Sequence, residues 1–267
     1  MPSPSLEHMF LQKLDEQLWG SAQKLRQSLD AANYKHVVLT LIFIKFLCDQ
    51  KEKLSFYFPD NFDWEMVKKY SDQELEDTFT VSSFLDSLLD QLEEKNPDLR
   101  GVLNRFQTFE VENSTLKGLI NLFNDIDFNS ANNGIDAKDL LGHIYEYFLG
   151  EFAIAEGKQG GQYYTPKGVV SLIVEILKPL NGSIYDPAMG SGGFFISSDK
   201  FLEENNISKN IKVFGQESNN TTRKLAVMNM LLHDLDFEFG ESAADTLKND
   251  LFRERKFNYV MANPPFN

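Results

Sequence analysis

The chain has 267 residues, 42% of them hydrophobic and 25% charged, which is enough for one or two domains with substantial cores. Its net charge is −14. Residues 1–135 hold 13 Lys and Arg against 22 Asp and Glu, and residues 136–267 hold 13 against 18. Neither half carries the basic excess that grips nucleic acid, so any action on DNA needs grip from another molecule. The longest apolar run, VVLTLIFI before Lys45, is far short of the roughly 20 residues that span a bilayer. The N-terminus MPSPSLEHMF lacks the basic and apolar regions of a secretory signal. A single cysteine, Cys48, excludes an internal disulfide; its setting in an apolar helix predicts a small buried hydrophobe in a cytoplasmic protein.

Residues 6–29 space Leu6, Phe10, Leu14, Leu18, Leu25 and Leu29 four or seven apart, on one helical face, which predicts an amphipathic helix. Residues 34–54 are apolar nearly all round at their centre, the pattern of a helix inside a bundle. Further helices are predicted over 82–95 and 114–126, separated by the turn-forming tracts YFPDNFDW and KNPDLRG. Strand signals are nearly absent before residue 130, so the first half is predicted all-α. NSANNG at 129–134 is a loop by composition and the expected boundary between a helical domain over 1–132 and a second domain over 136–267. A helix over 138–155 leads into GKQGGQYYTPKG. After it the pattern changes: SIYDP, IKVFGQE, FEFGE and KFNYVMA are strand-like runs, with helical stretches near 193–204 and 218–233. Strands alternating with helices imply a parallel, doubly wound α/β sheet.

Ligands of such sheets bind outside the carboxyl ends of the strands, where four segments of this sequence fall. DPAMGSGGF (186–194) follows the first strand. Asp186 at the strand tip can accept hydrogen bonds from a ligand amine, and Gly190, Gly192 and Gly193 permit close backbone approach; a βα turn with no ligand is the plainer reading. No Gly-Lys-Ser/Thr follows, and the glycine spacing does not match a dinucleotide fingerprint. Glu217, one βα unit later, is placed either to take both hydroxyls of a ribose or to be a solvated carboxylate. Asp245 either accepts from an adenine amine or caps its own turn. Finally, in MANPPFN the prolines cannot continue a sheet and fix the backbone. They direct the Asn263 amide and the Pro264 carbonyl one way, beside the flat face of Phe266, an arrangement suited to a flat heterocycle with an exocyclic amine.

DPAMGSGGF, Glu217, Asp245 and NPPF, in that order, resemble the motifs of S-adenosylmethionine-dependent adenine-N6 DNA methyltransferases, and GQYYTP (161–166) resembles that family's additional cofactor motif. LWGSAQKLRQSLDAANYKHVVLTLIFIKFLCD resembles the helical domain of the modification subunit of type I restriction–modification systems, and LLGHIYEYFLGEFA the helix leading into its catalytic domain. The resemblance implies a helical bundle followed by a Rossmann-like methyltransferase domain. It implies that Gln162, Tyr163, Tyr164, Thr165, Pro166, Lys167, Asp186, Gly190, Ser191, Gly192, Gly193 and Glu217 hold S-adenosylmethionine, with Asp245 near its adenine. Asn263, Pro264 and Phe266 would hold the target base. Thr165 also has a local reading, as a helix N-cap before a first-turn proline. Met189 receives no role.

The implied partners are a specificity subunit, which carries sequence recognition, a restriction subunit, and double-stranded DNA reached through that complex; no membrane is involved. The family's sheet continues past NPPF, so the resemblance implies that the catalytic domain here is incomplete at its C-terminus. Two alternatives stand beside this reading. An Asn-Pro-Pro-aromatic tip also serves methylation of protein glutamine side chains, against which the helical domain argues, and the chain could instead be an inert assembly module.

Overall fold

The computed structural model describes residues 6–25, 31–73, 80–129, 135–155, 165 and 167–264. The chain forms two compact units, residues 1–159 and 160–267.

The first unit is built from helices α1 (Leu6–Leu25), α2 (Ala31–Gln50), α3 (Trp64–Ser71), α4 (Val81–Lys95), α5 (Asn113–Asn124) and α6 (Ala137–Ala155). α2 is the core helix that its all-round apolarity predicts: Val37, Val38, Leu41, Ile42, Phe43, Ile44, Phe46 and Leu47 are all buried. Cys48 is a free thiol buried beside them, and burial with Asp63 and Asp49 nearby pushes its pKa up. α6 packs on α2 within this unit through Leu140, Leu141, Ile144 and Phe148, and the Tyr145 hydroxyl donates to the Leu39 carbonyl at 3.0 Å. That bond satisfies a phenol otherwise sealed in apolar surroundings.

Polar clamps hold the connections. Asp86 on α4, itself buried, accepts from the backbone N–H groups of Phe106 (2.7 Å) and Gln107 (3.0 Å), fixing the turn over Phe106–Phe109. Arg105 grips both carboxylate oxygens of Glu93 at 2.9 Å, a bidentate pair that sets the same segment. α4 begins with a reciprocal capping box between Thr80 and Ser83. α3 is not foreseen from the sequence, where YFPDNFDW predicts only a turn. Asp63 ends that turn and caps α3, accepting from the Glu65 N–H at 2.9 Å.

The second unit comprises α7 (Lys167–Leu177), β1 (Gly182–Asp186), α8 (Gly193–Glu204), β2 (Ile211–Gly215), α9 (Asn220–Leu232), β3 (Asp236–Glu238) and β4 (Tyr259–Val260). The strands form one parallel sheet in the order β3-β2-β1-β4. Ile184, Val213 and Phe214 are buried on its central strands, as expected of a sheet with helices over its faces. Tyr185, Phe214, Phe252 and Phe257 form an aromatic cluster, with Arg255 stacked 4.0 Å above the Phe214 ring. At the amino-terminal end of β2, Lys209 approaches Asp199 to 2.7 Å and Glu203 to 3.0 Å, and His233 lies 3.3 Å from Asp199, tying α8 to the end of α9.

The strand-like run KFNYVMA contributes only two residues to the ladder. Asn258 explains its entry: its side-chain oxygen accepts from the Ser183 N–H (2.9 Å) and hydroxyl (3.0 Å), and its N–H donates to the Ser183 carbonyl at 3.1 Å. A Cβ on Gly182, where φ is +90°, would lie 2.5 Å from that oxygen, so glycine permits the clamp. Among the described residues β4 pairs only with β1. Val260 is 59% exposed, and along α7 Val169, Leu172 and Ile176 are exposed as well.

Candidate active site

The site forms where β1 and β2 end side by side. Asp186 is the last residue of β1, paired with Gly215 of β2. The chain leaving β2 turns back onto it: the Gln216 N–H donates to the Asp186 carbonyl, and the Met189 N–H to the Gln216 carbonyl, each at 3.1 Å. The glycine loop is therefore laced to the next strand's end by backbone bonds. Close packing depends on two glycines. A Cβ on Gly215 would lie 2.1 Å from the Met189 sulfur, and one on Gly192 would lie 2.9 Å from Met230 Cε. Gly192 also takes φ +87° at the start of α8, a conformation that L side chains rarely adopt.

Glu217 does more than the sequence expectation assigns to it. One carboxylate oxygen accepts from the Gly190 N–H at 3.1 Å and the other from the Asn219 N–H at 2.7 Å. It thereby holds the glycine loop against the start of α9. The Ser218 hydroxyl donates a third, longer bond at 3.3 Å, so of about four acceptor positions one is open, and a ligand diol would take it and replace the Ser218 bond. Ser191 is fixed from the other side, its carbonyl accepting from Asn229 Nδ2 at 2.9 Å. Gly193 is the first residue of α8.

Asp186 is 2% exposed and accepts from the Ala188 N–H at 2.9 Å. Burial raises its pKa to about 7, helped by the neighbouring Glu217 charge and opposed by the Ala188 hydrogen bond. Such a carboxyl is poised to ionise on meeting a cation.

Asp245 lies in the loop after β3, where its carboxylate accepts from the Leu247 N–H at 3.0 Å and pairs with Lys248 at 3.1 Å. These contacts, the Lys248 bond foremost, hold its pKa below the usual carboxylate range. The side chain caps its own turn in the structure. The same loop is anchored by Thr246, whose hydroxyl donates to the Pro187 carbonyl at 2.6 Å, and by the Ala244 N–H, which donates to the Glu217 carbonyl at 2.9 Å.

Gln216 is the organising residue that sequence reasoning passes over. It is fully buried; its side-chain amide donates to the carbonyls of Asn249 (2.6 Å) and Ala244 (3.3 Å), and its oxygen accepts from the Leu251 N–H at 3.1 Å. One side chain thus satisfies three backbone groups of the 244–251 loop and sets it beside Glu217. The only local signal is an amide directly after a buried strand.

Past β4, Asn263 and Pro264 emerge exposed. The register places Met261 beyond the Tyr185–Val260 pair, with its N–H donating to the Tyr185 carbonyl at 2.9 Å, so Asn263 continues past the same sheet edge as Asp186. The Asn263 side-chain amide donates to Thr165 Oγ1 at 3.0 Å. The structure therefore brings Asp186, Gly190, Ser191, Gly192, Gly193 and Glu217 together, seats Asp245 on the adjoining loop, and links Asn263 to Thr165. Lys167 opens α7. Gln162, Tyr163, Tyr164, Pro166 and Phe266 lie outside the described residues. No group of acidic, His or Cys side chains suited to a metal is present among the described residues. None of the described helices is long and apolar enough to cross a membrane.

Residues 136–267 match the family model described as N-6 DNA Methylase, and residues 14–142 match the HsdM N-terminal domain. The chain is 48% identical over 194 residues to the type I restriction enzyme HindI methylase subunit of Haemophilus influenzae, covering 70% of this chain and 44% of that protein. It is 33% identical to the type I restriction enzyme MjaIX methylase subunit of Methanocaldococcus jannaschii, covering 96% of this chain and 51% of that one. The chain thus spans about half the length of the curated relatives it matches. The fold is similar to that of the type I restriction-modification system methyltransferase subunit from Streptococcus thermophilus, with a TM-score of 0.71, 22% identity, and coverage of 96% of this chain and 64% of that one.

Proposed function

The chain belongs to the family of type I restriction–modification methylase subunits, and from that premise we propose that it forms the cofactor-binding and base-contacting part of an adenine-N6 DNA methyltransferase. One observation carries the reading. A glycine loop bonded to a strand-end glutamate, next to a buried carboxyl, lies at the same sheet edge as an Asn-Pro tip. The division into a helical domain over 1–132 and a catalytic domain over 136–267 belongs to the same proposal, as do the cytoplasmic location, the specificity and restriction subunits as partners, and double-stranded DNA reached through them.

The residues fit S-adenosylmethionine by their chemistry. Asp186 offers a buried acceptor for an ammonium, Glu217 can take a ribose diol in place of its long Ser218 bond, and among the described residues none beyond its chain neighbours comes within 4 Å of where a Cβ on Gly190 would stand. When bound, this cofactor supplies an electrophilic sulfonium methyl. The protein's task is to prepare the other reactant, because an adenine amine is conjugated into its ring and is a poor nucleophile. The Asn263 side-chain oxygen and the Pro264 carbonyl accept its two hydrogens and favour a pyramidal nitrogen with an available lone pair. This is positioning and electrostatics, with no general base required at the start. The base must first leave the duplex, at a cost of a few kcal/mol. Stacking on Phe266 offsets roughly 1–3 kcal/mol of that. The acidic surface suits a subunit that borrows its DNA grip from a partner.

Two expected results test the cofactor half. Glu217→Ala in the complete subunit should weaken S-adenosylmethionine binding by about 1–3 kcal/mol, the scale of polar groups left unpaired. Unchanged affinity by calorimetry would remove Glu217 from the site. Asp186 gives a pH dependence whose sign follows from its raised pKa of about 7. A bound ammonium favours the ionised carboxylate, so below about pH 7 binding must expel a proton, and affinity should fall as pH drops from about 8 to about 6. Titrations in buffers of different ionisation heat should show proton release near the lower pH and little near the higher. Equal proton release at both would show that Asp186 does not meet the cation.

A further inference from the structure

Thr165 and Asn263 are 98 positions apart, and their side chains meet: Asn263 Nδ2 donates to Thr165 Oγ1 at 3.0 Å. We propose that Thr165 is a positioning residue for Asn263, holding its side-chain amide by the nitrogen so that the carbonyl oxygen stays available to the target amine. This rests on the reading of Asn263 as an acceptor for that amine.

Donor and acceptor roles decide which amide orientation works. An asparagine amide has a carbonyl oxygen on one side and an NH₂ on the other, nearly equal in size. Only the oxygen can accept from an amine hydrogen; the flipped amide would set two donors against each other. A threonine hydroxyl can accept or donate; in the bond observed it accepts from Nδ2, which leaves Oδ1 on the opposite side of the carboxamide, whereas a flipped amide would spend Oδ1 on the hydroxyl. Thr165 lies two residues before the start of α7 and is half-buried, whereas Asn263 is exposed at the tip beyond β4. The exposed, otherwise rotatable amide is therefore referenced to a more enclosed group. β4 contributes only two residues to the ladder before this tip, so orientation of the side chain needs a support other than the sheet.

A carboxylate provides the discriminating test, because its two oxygens are equivalent and neither can donate to Thr165. In the Asn263→Asp background the Thr165 hydroxyl can only donate, which withdraws charge from the accepting carboxylate. Single-turnover methyl transfer by the full-length subunit in its complex, at saturating cofactor, should fall about fivefold in Thr165→Val, the worth of one net hydrogen bond. Thr165→Ser should recover most of that loss. Combined with Asn263→Asp, Thr165→Val should slow transfer less than about twofold or accelerate it, again on the scale of one weak bond. An equal cost in both backgrounds would overturn the proposal, since a capping or cofactor-holding role is indifferent to the residue at 263.

A second readout needs no turnover. In the full-length subunit with isotope-labelled asparagine, the Asn263 side-chain NH₂ signals, identified by their loss in Asn263→Asp, should shift and exchange faster with water in Thr165→Val. Unmoved signals would overturn the proposal independently of any rate. Should Asn263→Ala transfer methyl at the wild-type rate, the reading of Asn263 itself fails, a result distinct from either of these.

Discussion

Asn263→Ala, introduced into the full-length subunit within its complex, is expected to abolish methyl transfer while leaving cofactor affinity nearly intact. The two effects separate because of where Asn263 stands. It lies beyond β4, bonded to Thr165, whereas the acceptors proposed for the cofactor are Asp186 and Glu217, which closes the glycine loop. Under the proposed role, alanine removes the side-chain acceptor that draws the amine toward a pyramidal geometry, an interaction realised in the transition state more than in the ground state. The loss should be on the order of a hundredfold or more, the scale for one missing preorganised polar contact to developing charge. Single-turnover rates and calorimetry on the same preparation check both halves. Near wild-type transfer would take Asn263 out of the chemistry.

The 267-residue chain without other subunits is expected to give no turnover on adenine-containing DNA. β4 pairs on one side only among the described residues, and Val260 is exposed, so the strand that delivers the Asn-Pro tip is held by β1 and the Asn258 clamp. An open strand edge invites association or fraying, which moves the tip by more than catalysis tolerates. The −14 net charge also predicts weak DNA affinity. The helical unit should remain folded, because its core around α2 is closed within residues 1–159. Helical signal by circular dichroism together with a blank in a tritiated-methyl assay is the expected pair of results. Turnover above background would show that the tip needs nothing beyond β1 to hold it.

Local periodicity makes much of this fold legible. The all-apolar α2, the stripes of α4 and α5, and the alternation of strand and helix after residue 180 follow from spacing alone, and the structure places the corresponding elements within a few residues of those expectations. α3 escapes because eight residues give too little periodicity, although Asp63 before Trp64 is a usable cap signal. β4 is shorter than its sequence suggests: KFNYVMA is apolar like a buried strand, but only Tyr259 and Val260 form ladder pairs, with the Asn258 and Met261 N–H groups each adding one bond to β1.

At the site, the glycine loop and Glu217 can be located from strand ends. Contacts whose meaning depends on distant chain cannot be foreseen. Gln216 matters because the 244–251 loop arrives over it, and Met189 because its sulfur fills the space that Gly215 leaves. The Glu217 bond to Gly190 spans 27 positions, and no composition signal marks it.

Whether this site directs a methyl group onto an adenine amine in DNA is read most directly from the product. The full-length subunit, the proposed specificity subunit and adenine-containing duplex DNA are incubated with tritium-labelled S-adenosylmethionine. The DNA is then digested to nucleosides and the protein hydrolysed separately. Label is expected in N6-methyldeoxyadenosine, and its loss is expected in Asn263→Ala. Label confined to a protein glutamine, or no label in either fraction from a complex that binds the cofactor, would contradict the proposed function.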